Sequence, residues 1–573
     1  MPPARASVLP DLPRFAPPLL LLGVHVLSLL AARSLAEAAV PVLVLFAGVS
    51  VFSCLRGGVL SRESAAALVP VLAAAALAFG LIGNVQRIAG HEAVSTEGNR
   101  NYSGALAAML LPVMVAFTRA GKGSGRILSG LAAANLGVLL LLSESRGSLI
   151  AAGAGLVLAA AAMGAKRVNR GAVAVGIALL LLVSCFGAFQ LKQQISPERL
   201  ETAGFRKDVW KSGLRMVAAR PLLGWGAGNF AVEYPPFRSE AEFRYSHKYV
   251  TENFKELEDA HSSWVQIAVD TGVAGILALL LVVYVAARLW RYYVKVAPDG
   301  DRAAILAGLG GGAAAYLIAG LFNTLTLKTS HTVLFWSFLG LIELIGDVRP
   351  WRASGRSREA RVAIPAAAAF VAFFGAFWAG RMGVADAAYI AGMSSDHSGR
   401  EARLRESLES NPYAWQAHCN LSLELYALGR FQGAAEEGRA TLRLRPFHLE
   451  SLNHTAISLI RAEGDPREIE SLFRRALEVA PYYGKTYHNF ATFERQRGNR
   501  AEARRLFGLA IEHNPHPGAS YFWRGLLSYS EGDVPMAIED FRKSKSHGFD
   551  VEGALKSQRL SAENDARLAE FFR

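Results

Sequence analysis

Two hydrophobic patterns divide the chain. Over the first two thirds apolar residues fall in long runs, and from about residue 383 onward they fall in short sets at helical spacing with polar faces between. A helix needs roughly 17 to 25 predominantly apolar residues to cross a hydrocarbon core. Runs of that length stand near 15–32, 35–55, 64–84, 103–119, 125–143, 148–164, 171–190, 264–288, 303–322, 331–347 and 362–382. They predict about eleven membrane helices. The first run carries Pro17 and Pro18, lacks a clean small-residue cleavage site and is followed at once by further spans. It is therefore expected to remain as an uncleaved helix.

Lysine and arginine mark the cytoplasmic side of such a bundle. With the N-terminus inside, the inner segments collect Arg119, Lys122 and Arg126, then Lys166, Arg167 and Arg170, then Arg288, Arg291, Lys295 and Arg302, and finally the cluster from Arg349 to Arg361. The short outer loops hold only Arg33, Arg87, Arg100, Arg146 and Lys328. This places the long loop of about 191–261 outside. An odd number of spans puts the C-terminal segment on the same side.

That segment is punctuated. Glycines at Gly429, Gly464, Gly498 and Gly532 and prolines at Pro412, Pro446, Pro481 and Pro515 both step by about 34 residues, the period of a tetratricopeptide helix pair. Small residues fall where paired helices must approach closely, at Ala434, Ala476, Ala503, Ala510 and Ala537, and Phe473, Phe507 and Phe541 fill the neighbouring large position. Residues 383–573 thus resemble the tetratricopeptide family. The expectation is an α-solenoid whose groove is an interaction surface for a protein partner.

Composition adds exclusions. Apolar residues make up 52% of the 573 and charged ones 19%, which rules out a disordered or a wholly soluble chain. Cys54, Cys185 and Cys419 stand in separate segments with no paired spacing, so neither a disulfide framework nor a metal site is expected. The net charge of +13 is accounted for by the inner loops, without nucleic acid.

Candidate chemistry gathers on the outer face. Ser143-Glu144-Ser145-Arg146-Gly147-Ser148 forms a very short outer turn. Arg146 there is either an interfacial cation paired with Glu144 or an anion clamp beside a helix start whose free N–H groups favour negative charge. The long loop contains Arg206-Lys207-Asp208-Val209-Trp210, then Pro221-Leu222-Leu223-Gly224-Trp225-Gly226-Ala227-Gly228-Asn229-Phe230. This glycine run fits no dinucleotide or P-loop fingerprint and reads as a tight turn at the membrane. The loop ends in Glu258-Asp259-Ala260-His261-Ser262. His261 is a candidate general base, with Glu258 and Asp259 near enough in sequence to orient its ring, unless it is simply a histidine at a helix start.

In order, spacing and sidedness these elements resemble the O-antigen ligase and polymerase superfamily over about residues 10 to 350. The resemblance is carried by Ser145-Arg146-Gly147 at an outer turn, Arg206 and the Pro221–Phe230 segment in the long loop, His261 followed by Thr271-Gly272-x-x-Gly275, and Asn99-Arg100-Asn101-Tyr102-Ser103-Gly104 leading into a helix with Pro112. It implies an all-α polytopic bundle of GT-C type over residues 1–382. It also implies a metal-independent, cofactor-free, inverting glycosyltransferase of the bacterial inner membrane, acting on an undecaprenyl-diphosphate-linked glycan at the periplasmic face. Arg146 and Arg206 would bind the diphosphate and His261 would take the acceptor proton. Where the family often has asparagine after its histidine, this chain has Ser262.

Ligation to a lipid acceptor, polymerisation of repeat units and glycosylation of a protein hydroxyl all use this chemistry. A transporter would instead place ionisable residues in mid-span and repeat its halves; there is almost no charge inside the runs apart from Glu37, Asp270 and Glu343, and no matching halves are seen. A membrane-tethered scaffold would leave Arg146, Arg206 and His261 without a role.

Overall fold

The computed structural model describes residues 16–56, 62–91, 95–97, 99–167, 197–249, 257–346 and 383–558, with Arg381, Leu560 and Phe571. Every regular element among them is helical. Eight described helices are long and apolar enough to cross a membrane: Glu37–Leu55, Val69–Ile88, Arg100–Ala120, Gly123–Leu142, Arg146–Met163, Ser263–Val296, Gly300–Ala319 and Thr329–Gly346. Each coincides with an expected span. The expected first span is a shorter apolar element, Ala16–Ala31, and those at 171–190 and 362–382 lie outside the described residues.

The chain forms two compact units, and the division is not a single cut. One unit comprises Met1–Tyr234 with Leu257–Trp378, and the other Pro235–Glu256 with Ala379–Arg573. A piece of the long loop therefore belongs with the C-terminal repeats.

In the membrane unit, the Gly300–Ala319 helix packs against both Arg100–Ala120 and Arg146–Arg167. Lipid offers no hydrophobic drive for helix pairing, so small residues that let backbones approach do the work. A Cβ on Gly311 would stand 2.5 Å from the Gly155 carbonyl, and one on Gly155 2.6 Å from that of Gly311. Any side chain at either position forces the two helices apart.

The Ser263–Val296 helix is broken at Gly272, whose φ of 64° and ψ of −161° are not helical. The break frees main-chain groups inside the bundle, where they must find partners. The glycine-rich loop supplies them. Trp225 N–H donates to Val269 O and Gly226 N–H to Asp270 O, both at 2.9 Å, while Val273 N–H donates to Pro221 O at 2.8 Å. Gly228 N–H adds a bond to Asp270 Oδ2 at 3.0 Å. Gly224, Gly226 and Gly228 all have positive φ, and a Cβ on Gly226 would meet Ala32 Cα at 2.5 Å. Asn229 then ties the loop to the first helical corner, its Oδ1 accepting from Ser34 N–H at 2.8 Å. The segment expected as a tight turn is a staple that repairs a broken helix, and Asp270 is bonded into that staple.

The second unit contains four helix pairs: Trp415–Ala427 with Phe431–Leu444, Leu449–Arg461 with Pro466–Val479, Gly484–Gln496 with Arg500–His513, and Gly518–Ser530 with Val534–Ser546. The small positions Ala434, Ala476, Ala503, Ala510 and Ala537 and the large ones Phe473, Phe507 and Phe541 are all fully buried. Within each pair the chain turns through a left-handed residue. Gly429, Gly498 and Gly532 take that conformation as expected, but in the second pair it falls on Glu463 rather than Gly464.

Candidate active site

Arg206 lies on the Pro197–Ala219 helix. One turn further on, Trp210 Nε1–H donates to Ala260 O at 3.1 Å, so this helix is pinned to the end of the long loop. Ala260 N–H donates in turn to Gln266 Oε1 at 3.0 Å. The loop end is thus held through both main-chain groups of Ala260, between Asp259 and His261.

Asp259 organises that chemistry. Its Oδ1 accepts the His261 N–H at 2.7 Å and the Thr324 hydroxyl at 2.7 Å, and it stands 3.4 Å from His261 Nδ1. The bond to the residue two positions on makes an Asx turn, and His261 adopts φ of +50° within it. Left-handed backbone at a non-glycine residue costs about 1–2 kcal/mol and persists where the surroundings impose it. The His261 side chain keeps 40% of its surface exposed, and the Phe205 ring lies 6.1 Å away. Burial lowers the His261 pKa from its ordinary value; the Asp259 carboxylate opposes this and the Arg206 cation adds to it. The imidazole is therefore neutral, and able to accept a proton, near pH 7. Arg206 is itself drawn down by burial, with Asp259 and Tyr102 favouring its charge.

Ser262 does not orient the histidine. It is buried and caps the Ser263–Val296 helix, its side chain accepting from Val265 N–H. Ser263 N–H donates to Gly320 O at 2.7 Å, and Ser263 Oγ accepts from Leu325 N–H at 2.8 Å. These bonds fix the turn that carries Thr324 to the loop end that carries Asp259.

Arg146 opens the Arg146–Arg167 helix and is exposed. Glu144 does not pair with it: that carboxylate binds Arg87 at 2.8 Å and Arg100 at 3.6 Å. Among the described residues Arg146 makes no hydrogen bond or ion pair. Gly147 lets the helix start press on Phe322, since a Cβ there would stand 2.8 Å from Phe322 Cβ, and Phe322 is two residues before Thr324. The structure thus brings Arg206, Asp259 and His261 together and sets Arg146 on an adjoining turn as an uncommitted guanidinium.

Sequence reading missed three contributors. Tyr102 lies within the electrostatic reach of the Asp259 carboxylate, its carbonyl binds His331 Nε2 at 2.9 Å, and Lys328 Nζ lies 4.4 Å from its ring centroid. Thr324 and Lys328 come from the same turn. Tyr102 sits in the Asn99–Gly104 segment that drew attention by resemblance, which is the signal that pointed to it. Among the described residues no three His, Cys, Asp or Glu side chains are grouped as metal ligands.

The fold and this site define a polytopic membrane protein with polar chemistry at one helix-end surface and a helical-repeat region. The O-Antigen ligase family model matches residues 131–281, the stretch that holds Arg146, Arg206, the glycine staple and His261. No curated protein matches the chain. Among solved structures the chain is similar to YrrB, described as a TPR protein with an unusual peptide-binding site, at 17% identity over 30% of this chain and 89% of that one, with a TM-score of 0.27. A tetratricopeptide repeat protein from Parabacteroides merdae is similar at 20% identity over 33% and 75%, with a TM-score of 0.28. The Pseudomonas aeruginosa pilF protein is similar at 19% over 34% and 94%, with a TM-score of 0.27.

Proposed function

We propose that this protein is a ligase-type membrane glycosyltransferase that moves a glycan from an undecaprenyl-diphosphate-linked donor to an acceptor hydroxyl at the periplasmic face of a bacterial inner membrane. The observation that carries this reading is the Asp259 carboxylate, which holds the His261 main chain and Thr324 and faces the His261 ring. A neutral, positioned histidine beside a fixed cation suits proton removal from a hydroxyl coupled to departure of an anion.

In this reading the acceptor oxygen bonds to the anomeric carbon as the bond from that carbon to the diphosphate breaks. His261 takes the hydroxyl proton, and the diphosphate leaves with the bonding electron pair. Arg206 and Arg146 neutralise the charge on the leaving group, a task suited to planar, forked donors. A single displacement inverts the anomeric configuration, and guanidiniums do the electrostatic work without a metal. Lipid, growing glycan and protein hydroxyls are all chemically competent acceptors.

The test is transfer by the purified protein in lipid, with a polyprenyl-diphosphate glycan as donor and EDTA present. Gene deletion followed by analysis of lipopolysaccharide, exopolysaccharide and glycoproteins together identifies the acceptor. Retained transfer in His261→Ala, or activity restored only by Mg²⁺ or Mn²⁺, removes the mechanism.

A further inference from the structure

The long loop does not run freely over its described residues 235–249. Its middle, a 3-10 turn at Pro235–Phe237 and a helix at Glu240–Tyr249, folds as part of the repeat unit. Phe243 is the anchor. It is 4% exposed and belongs to one buried cluster with Leu449, Leu452 and Ala480. Its ring meets Tyr482 at 4.9 Å and Tyr483 at 5.5 Å between centroids, both edge-on, a favoured aromatic geometry. Tyr482 and Tyr483 form the turn between two repeat helices. The other such turns begin Pro412-Tyr413-Ala414, Pro446-Phe447-His448 and Pro515-His516-Pro517, so only this one offers two tyrosines.

Charge is committed to the same contact. Arg238 Nε binds Glu242 Oε1 and Oε2 at 2.9 and 2.8 Å, with the carboxylate side chain fully buried and the guanidinium 6% exposed. The Arg238 guanidinium also lies 5.0 Å from the Phe243 ring centroid, and the Tyr482 hydroxyl donates to the Arg238 carbonyl at 3.5 Å. Removing such a pair from water is costly unless its geometry is fixed. A loop that brushed the repeats in passing would leave these charges in solvent.

We propose that the repeat array binds the outer loop of its own chain through Phe243, and that this anchor sets the position of the loop end carrying Asp259 and His261. Phe243, Tyr482 and Tyr483 are then positioning residues for the transfer reaction, a role that rests on the function proposed above. The contact also constrains topology, because the loop and the repeats must share one side of the membrane. That requires an even number of crossings between residues 262 and 383. Three helices long and apolar enough to cross are described there, and the expected span at 362–382 lies outside the described residues.

The test uses the full chain in nanodiscs, comparing wild type with Phe243→Ala, Phe243→Leu and Tyr482→Ala by amide hydrogen exchange and by transfer kinetics. In the wild type the amides of 240–249 should be protected. Phe243→Ala should raise their exchange by roughly tenfold or more while the 484–546 helices keep wild-type protection. Transfer should fall about tenfold in kcat, with KM for the donor and the acid limb of the pH profile unchanged, and Phe243→Leu should recover most of it. Exchange at 240–249 as fast in the wild type as in Phe243→Ala overturns the anchor. Released amides with wild-type kcat overturn the positioning role. Protected amides in a wild type that transfers no lipid-linked glycan support the anchor and sink the enzymatic reading instead.

Discussion

One oxygen of Asp259 accepts the main-chain N–H of His261 at 2.7 Å and faces its ring nitrogen at 3.4 Å. A single carboxylate therefore sets both the backbone conformation and the electrostatics of the proposed base. Loss of the base and loss of its partner should then have separable signatures.

His261→Ala should lower transfer by roughly 10²- to 10⁴-fold, the usual contribution of a positioned general base. The pH profile carries the finer information. Since the His261 pKa is lowered, transfer should rise through an acid limb below pH 6.5 and be full at neutrality. Asp259→Asn removes an influence that raises the pKa, so the limb should move to lower pH while the rate falls. Arg206→Gln removes one that lowers it, so the limb should move to higher pH. Steady-state rates from pH 4.5 to 8 check the signs; equal limbs in all three proteins would detach His261 from the reaction.

Arg206→Lys and Arg146→Lys should each reduce transfer strongly, because an ammonium cannot reproduce forked contact with a phosphate. The two should differ in what else changes. Arg206 acts on His261 through its charge, so its neutral replacement, Arg206→Gln, should also disturb the His261 limb. Arg146 has no such partner, and its loss should appear as weaker donor binding with the limb unmoved. Donor titrations at several pH values separate the two effects.

Gly224→Ala should cost at least about 2 kcal/mol, since left-handed strain of this order adds to a collision with the Val269 carbonyl at the helix break. Gly125→Ala provides the contrast: nothing stands within 4 Å of its Cβ and its φ is not left-handed, so helix propensity should make it neutral or slightly stabilising. Thermal unfolding in detergent decides, and equal melting of both variants would show that the loop is not a staple.

How much of this was legible depended on whether the signal was local. Eight crossing helices show themselves as unbroken apolar runs, and the repeats show themselves through prolines, glycines and the Ala and Phe positions, because each of those signals lies within one helix or turn. His261 stands out by its place at the loop end beside Glu258 and Asp259, and Arg206 by resemblance to short motifs. Tyr102, Asp259 and Thr324 converge from distant parts of the chain, and no periodicity links them. The glycine run announced a special backbone but not the helix break it repairs, since its partner Gly272 lies more than 40 positions on. Phe243 reads in sequence as an ordinary loop aromatic; only its packing against Tyr482 and Tyr483 distinguishes it.

Glu463→Gly should stabilise the repeats. Glu463 takes the left-handed position, with φ of +55°, that Gly429, Gly498 and Gly532 take elsewhere. Relief of about 1–2 kcal/mol of strain is partly offset by the greater freedom of glycine in the unfolded chain, about 0.5–1 kcal/mol. A net gain of about 1 kcal/mol should raise the melting temperature of the repeats by a few degrees. Gly429→Ala should do the reverse for purely conformational reasons, since its φ is +75° and nothing stands within 4 Å of its Cβ. Opposite shifts from the two variants are the expected pattern.

Truncation near residue 385 separates two roles for the repeats. If their only task is to recruit an acceptor or partner, the shortened protein should keep full transfer to a small soluble acceptor and lose efficiency on the natural one, because proximity raises local concentration without touching the chemistry. Loss of Tyr482 and Tyr483 also strips the cover from Phe243, Arg238 and Glu242, whose burial in the complete chain depends on the repeat cluster. The loop end then loses its anchor, and kcat should fall by a similar factor on small and natural acceptors alike. The bundle around Gly155 and Gly311 takes its packing from membrane helices alone, so its thermal transition should remain. Donor binding, thermal unfolding and transfer to both acceptors, measured on one truncated preparation, decide between the roles; a loss confined to the natural acceptor would leave recruitment as the sole task.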